Sequence, residues 1–87
     1  MTIKEGFVLR EIAGECVVIA VGDAEKIFNG MIRLNETGRI IWEELSHGSN
    51  KESIVDMLLQ TYEIDRNVVE ADVDRVIETL RGAGILE

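Results

Sequence analysis

The apolar residues of this chain change their spacing once, near Leu34, and that change divides it into a strand-forming front and a helical back. Phe7 to Ile12 and Glu15 to Val21 are rich in Val, Ile and Phe, which suit a pleated, half-buried surface. Ala13-Gly14 leaves room only for a tight connection in which Gly14 takes positive φ, so the two runs read as a β-hairpin. The run from Cys16 to Val21 is apolar at consecutive positions, hence on both faces of a strand, which predicts a strand with a neighbour on each side. Gly22-Asp23 ends it. Asn29-Gly30 has the composition of a type I′ turn and leads into a short third strand, Met31 to Leu34. The spacing leaves open whether Glu25 to Phe28 pairs back across that turn.

Beyond Leu34 the period is helical, and three start signals divide the remainder. Asn35 or Thr37 is placed to cap a helix carrying Ile40, Ile41 and Leu45 and ending at His47-Gly48. Ser49, with Glu52 three residues on, fits a capping box that opens a helix with Ile54, Val55, Leu58 and Leu59 on one face. Asp65 caps the third helix, whose Val69, Val73, Val76, Ile77 and Leu80 form a single stripe ended by Gly82-Ala83-Gly84. Ile85-Leu86 is expected to tuck under the core. The predicted class is α+β: three N-terminal antiparallel β-strands followed by three α-helices, the outline of a small winged helix-turn-helix-like domain. With 87 residues there is room for a single domain, 1–87, in which every element must contribute to one core.

Charge and composition narrow the function. Acidic residues outnumber basic ones 17 to 9, a net charge of -8, so the field repels a phosphate backbone and no nucleic acid partner is expected. The helix that would read DNA in a winged helix, Val68 to Arg81, exposes Glu70, Asp72, Asp74 and Glu78 against Arg75 and Arg81. Cys16 is the sole cysteine, which rules out a disulfide or a cysteine-built metal site within one chain and suits a reducing cytoplasm. Met1 to Glu5 lacks a signal-peptide core, and no apolar stretch approaches the ~20 residues of a membrane span, so no membrane partner is expected.

No catalytic residue is assigned. His47 sits where a helix ends and complements the dipole there, with no second group placed to help it in chemistry. Cys16 lies in a strand that reads as buried on both faces and fills the core. Asp72/Asp74 and Glu43/Glu44 read as solvated helix faces, not metal ligands. Gly6, Gly14, Gly22, Gly30 and Gly38 are turn residues that make no phosphate-binding loop, so neither metal nor cofactor is expected. Trp42 reads as a core or boundary aromatic.

The third strand is the informative surface. It forms a sheet edge with unpaired backbone groups beside Met31 and Ile32, and two readings stand. Its shortness and Arg33 protect the edge, or an extended peptide pairs with it by β-augmentation.

The segment Leu34-Asn35-Glu36-Thr37-Gly38-Arg39-Ile40-Ile41-Trp42 resembles the PqqD-like family, in which L-N-x-T-(A/G)-x-x-(I/L)-(W/L) opens the first helix. The likeness continues through His47-Gly48, Glu52 to Val55, Leu58 to Tyr62 and Leu80 to Leu86, nearly the whole chain. The resemblance implies a precursor-peptide recognition element of ribosomally made, modified peptides. In such elements the leader peptide adds as a strand to the third strand and lies against the third helix. Carried onto this sequence, that implies peptide binding by Gly30, Met31, Ile32, Arg33 and Leu34, with Val69, Asp72, Val73 and Val76 supplying pockets. The implied protein is a bacterial, cytoplasmic, stand-alone peptide chaperone that delivers a precursor peptide to a radical SAM or other peptide-modifying enzyme. It would be a monomer, or a dimer paired or swapped at the exposed edge. Two departures, Gly38 to Trp42 in place of an alanine-rich run and Ser46-His47-Gly48 in place of Cys-Asp-Gly, set it apart from members dedicated to pyrroloquinoline quinone biosynthesis. Membership of that pathway proper is the alternative, as is an acidic winged-helix adaptor with no peptide substrate.

Overall fold

In the computed structural model, which describes residues 1–87, strand β1 (Phe7–Ile12) turns back into β2 (Glu15–Ala20) through a loop of two residues. Ala13 and Gly14 both lie at positive φ, 53° and 81°, the signature of a type I′ turn, so the hairpin forms where expected. Strand β3 (Ile32–Leu34) pairs with the other side of β2, giving the antiparallel order β1-β2-β3.

The doubly apolar run of β2 thus occupies the centre. Val18 pairs with Leu9 and Ile32 on the face turned to the helices and is fully buried, while Val17, on the opposite face, is only 2% exposed. The neighbours of Val17 in register are Arg10 and Arg33, long side chains whose aliphatic stems can cover an apolar residue while their charges stay in water. Cys16 is half-buried and not sealed in the core, because it lies at the hairpin end of β2 between Glu11 and Leu34. Val21 leaves the strand; its backbone N–H donates to the Gly6 carbonyl at 2.8 Å.

The segment between β2 and β3 departs from the expected turn. Gly22–Lys26 forms a 3-10 helix that seats Ala24 in the core, so Glu25 to Phe28 does not pair back. With no strand before it, Asn29-Gly30 makes no hairpin turn, and Gly30 is not at positive φ. What Gly30 accommodates is the Phe28 ring, whose Cζ would lie 2.8 Å from an added Cβ. Met31 is 55% exposed and falls outside the strand, which begins one residue later than its composition suggests.

Helix α1 (Glu36–Ser46) is capped by Asn35, whose Oδ1 accepts from the Gly38 N–H at 2.8 Å. Helix α2 (Lys51–Thr61) opens one residue later than a Ser49 capping box requires: Asn50 Oδ1 accepts from the Ser53 N–H at 2.8 Å. Ser49 is already committed to closing α1. Its N–H donates to the Glu44 carbonyl at 3.0 Å while Gly48 N–H donates to Leu45, a Schellman motif. The exposed ring of His47 contributes nothing to that closure, which is made by backbone.

Helix α3 (Arg66–Gly82) starts after Asp65, whose side chain makes no capping bond, and ends in a second Schellman motif. There Gly84, at φ 77°, lets the Ile85 N–H return to Leu80 at 2.9 Å. Ile85 and Leu86 are buried as expected, and Leu86 bridges to Ile3 near the N-terminus.

Fifteen residues make one core, with Ile41, Trp42 and Leu45 of α1, Ile54, Val55 and Leu58 of α2, and Val69, Val73, Ile77 and Leu80 of α3 packed over the sheet. Lys51 to Asp74 at 2.7 Å and Arg66 to Asp56 at 3.4 Å tie α2 to α3 at the surface. No helix is long and apolar enough to cross a membrane.

The positive φ of Ala13 is a local cost that asparagine tolerates, so Ala13→Asn is expected to raise unfolding free energy by about 0.5–1 kcal/mol in a urea melt. For the α2 cap, Asn50→Ala is expected to cost about 1 kcal/mol and Ser49→Ala less. The reverse order would restore the Ser49 box.

Candidate functional site

The free edge of β3 is backed by a cleft of about 280 Å³ whose other wall is the C-terminal half of α3. Ile32, Leu34, Val76 and Leu80 supply its apolar lining, and Arg33, Asn35, Arg75 and Thr79 its polar one. The sequence Leu34-Asn35-Glu36-Thr37-Gly38 shapes the inner end. Asn35 stops the strand and caps α1, and at Gly38 an added Cβ would lie 3.2 Å from both the Leu34 Cβ and the Asn35 Oδ1. A side chain there would press on the strand end that borders the cleft.

Two further hollows continue along the same edge. One adjoins the cleft through Arg33, Leu34 and Asn35 and extends to Gly14, Cys16 and Arg39. The other holds Gly30 and Met31 with Ile19, Ala20, Glu25 and Asn29. The edge from Gly30 to Asn35 is therefore flanked by concave surface throughout.

The residues singled out in the sequence separate into groups. Ile32, Arg33, Leu34 and Val76 come together in the cleft, and Gly30 and Met31 line the neighbouring hollow. Asp72 lies on the surface of α3 and pairs with Arg75 at 3.1 Å. Val69 and Val73 are 3% and 0% exposed, belong to the core and do not line the cleft. Asn35, Gly38, Arg75, Thr79 and Leu80 line it without having been singled out as site residues. Thr79 and Leu80 follow Val76 by three and four positions, the spacing of neighbours on one helix face, so that part was readable. Which half of α3 faces β3 was not.

The acidic face of α3 is extensively paired: Glu70 with Arg66 at 3.0 Å, Asp74 with Lys51 at 2.7 Å and Glu78 with Arg81 at 3.0 Å. These pairs hold the Arg66 and Lys51 pKa values above their ordinary ones, in each case chiefly through the side-chain hydrogen bond. No group of three His, Cys, Asp or Glu side chains is placed to hold a metal ion. The thiol of Cys16 and the imidazole of His47 make no hydrogen bond within the chain.

The family model described as coenzyme PQQ synthesis protein D (PqqD) matches residues 7–86, which include the whole cleft. The chain belongs to the PqqD family. Two solved structures have a similar fold. One is TbiB1 in complex with the TbiA(beta) leader peptide, 29% identical, with a TM-score of 0.80 over 100% of this chain and 95% of that one. The other is a lasso peptide synthetase B1 complexed with the leader peptide, 19% identical, with a TM-score of 0.75 over 95% of this chain and 92% of that one. No curated protein matches this sequence significantly. Three antiparallel strands followed by three helices is thus the architecture of this PqqD-family chain, as the spacing of its residues predicted.

Two valines three residues apart on α3 separate core from cleft. Val73→Ala is expected to cost about 2 kcal/mol in a denaturant melt, whereas Val76→Ser, at a half-buried site, costs under about 1 kcal/mol.

Proposed function

We propose that this PqqD-family chain binds the leader of a ribosomally made precursor peptide by strand addition to β3 and presents the attached core segment to a modifying enzyme. The observation that carries the reading is the free β3 edge with a cleft along it. The edge offers backbone donors and acceptors, and the cleft offers side-chain pockets, the two parts that β-augmentation needs. The 29% identical structure, solved with a leader peptide, supports it. Within this reading Gly30 to Leu34 pair with the peptide, and Val76 with its neighbours Arg75 and Thr79 takes its side chains. Val69 and Val73 act from beneath, by holding α3 at its distance from β3, and Asp72 acts by orienting Arg75.

The chain supplies no catalytic group in this role. It raises the effective concentration of a tethered substrate at a partner, which we assign to the radical SAM or another peptide-modifying class, in the cytoplasm of a bacterium. A single added strand buries less than a standard interface, so the dissociation constant is expected near the micromolar range, about -8 kcal/mol. The description of the family favours a second reading, service to pyrroloquinoline quinone synthesis itself, against which stands Ser46-His47-Gly48 at the end of α1.

The TbiA(beta) leader peptide is the available probe. Titrated into isotope-labelled protein, it is expected to shift the amide signals of Ile32, Arg33 and Leu34 most. It should also slow the reaction of Cys16, the only thiol, with a disulfide reagent, because the hollow beside Cys16 continues the cleft. A peptide response confined to residues away from β3 and α3 would defeat strand addition at this edge.

A further inference from the structure

We infer that the cleft selects an acidic extended peptide: one carrying a carboxylate for Arg33 and another for Arg75, beside an aliphatic residue for the Leu34 and Val76 surface. This rests on the peptide-binding reading and adds the chemistry of what is bound.

The observation behind it is a reversal of charge. The chain carries a net charge of -8, yet the only ionisable residues lining the cleft are Arg33 and Arg75. Each of the other four hollows on the surface includes at least one glutamate. Asn35 adds to the same polarity. Its Oδ1 is occupied by the Gly38 N–H, which leaves the side-chain NH2, a pure donor, without an acceptor in the chain. The cleft and the β3 edge beside it therefore offer charged and neutral donors next to an apolar lining, and the side chain that satisfies such a set is a carboxylate, which a guanidinium can bind through paired N–H groups.

Both arginines are available. Arg33 meets Glu15 at 3.5 Å with its side chain 74% exposed, and Arg75 meets Asp72 at 3.1 Å with its side chain 65% exposed. Exposed pairs of this kind are weak, so an incoming carboxylate can share or replace the partner.

The register states which peptide residues are addressed. Arg33 pairs with Val17 across β2–β3 and so projects on the sheet face away from the helices, while Arg75 stands on α3 on the other face. A strand added to β3 turns successive side chains to alternate faces. One carboxylate therefore lies opposite Arg33, and the adjacent residues on the helix side are a carboxylate for Arg75 and an aliphatic group. The pattern is Leu-Glu-Glu or, for the other strand direction, Glu-Glu-Leu.

The test uses fluorescein-labelled, end-blocked dodecapeptide pools with central Leu-Glu-Glu, Glu-Glu-Leu, Leu-Gln-Gln or Leu-Lys-Lys and randomised flanks, with the TbiA(beta) leader as a separate arm. Polarisation at about 50 mM salt is expected to show one Glu pool binding about tenfold tighter than the Lys pool, narrowing to about threefold at about 500 mM. In the double variant Arg33→Gln/Arg75→Gln, which keeps an aliphatic stem beside Val17 and sets no like charge against Glu15 or Asp72, the preference for the Glu pool over the Lys pool is expected to be lost. If the leader shifts the β3 amides while the pools bind equally, or the Lys pool binds best, the acidic selection is wrong and peptide binding stands. If neither the leader nor any pool moves those amides, the peptide-binding reading falls and this inference with it.

Discussion

The junction at Leu34 and Asn35 is the constraint on which the rest depends. A strand and a helix meet there without a linker, and Asn35 serves both, ending β3 and capping α1 through Gly38. Gly38 has no side chain to hold the two elements apart, so the strand end lies against the first turn of the helix. That close approach orients α1 over the sheet, and the outer edge of β3 is left bare with α3 beside it. Replace the cap or fill Gly38, and the strand edge and the helix wall lose their common frame.

The central strand carries the complementary role. Val17 and Val18 point to opposite faces and both are buried, although only one face has helices on it. On the other, Arg10 and Arg33 flank Val17 in register, so Arg33 both neighbours a buried valine and stands at the free sheet edge. On α3 the division is by helix face. Val69, Val73, Ile77 and Leu80 are held in the core, and the acidic residues around them are matched by Lys51, Arg66, Arg75 and Arg81. The acidic face of α3 is thus matched by bases, and the only ionisable residues lining the β3 cleft are Arg33 and Arg75, each in an exposed pair with a carboxylate outside it.

Much of this was legible in the residues. The hairpin at Ala13-Gly14, the central position of β2, the cap at Asn35 and the buried stripe of α3 each follow from local pattern, because turn conformation, strand alternation and helical spacing are short-range properties. Where local signals competed, they misled. Asn29-Gly30 suits a hairpin turn, but the preceding residues coil into a 3-10 helix and leave it no strand to join. Ser49 and Glu52 have capping-box spacing, but Ser49 is taken by the Schellman closure of α1 and Asn50 takes the cap.

The sequence by itself determined the class of the fold, the core stripes, the excess of acid over base and the shortness of the strand after Asn29-Gly30. Those depend on which residues follow one another. Tertiary structure alone decided that the C-terminal half of α3, with Arg75, Val76 and Thr79, faces β3, and that Val69 and Val73 are spent on the core. The reason is that a helix's periodicity says which residues share a face, but the neighbour opposite each turn is set by how the helix crosses the sheet, and that is a property of the packed whole.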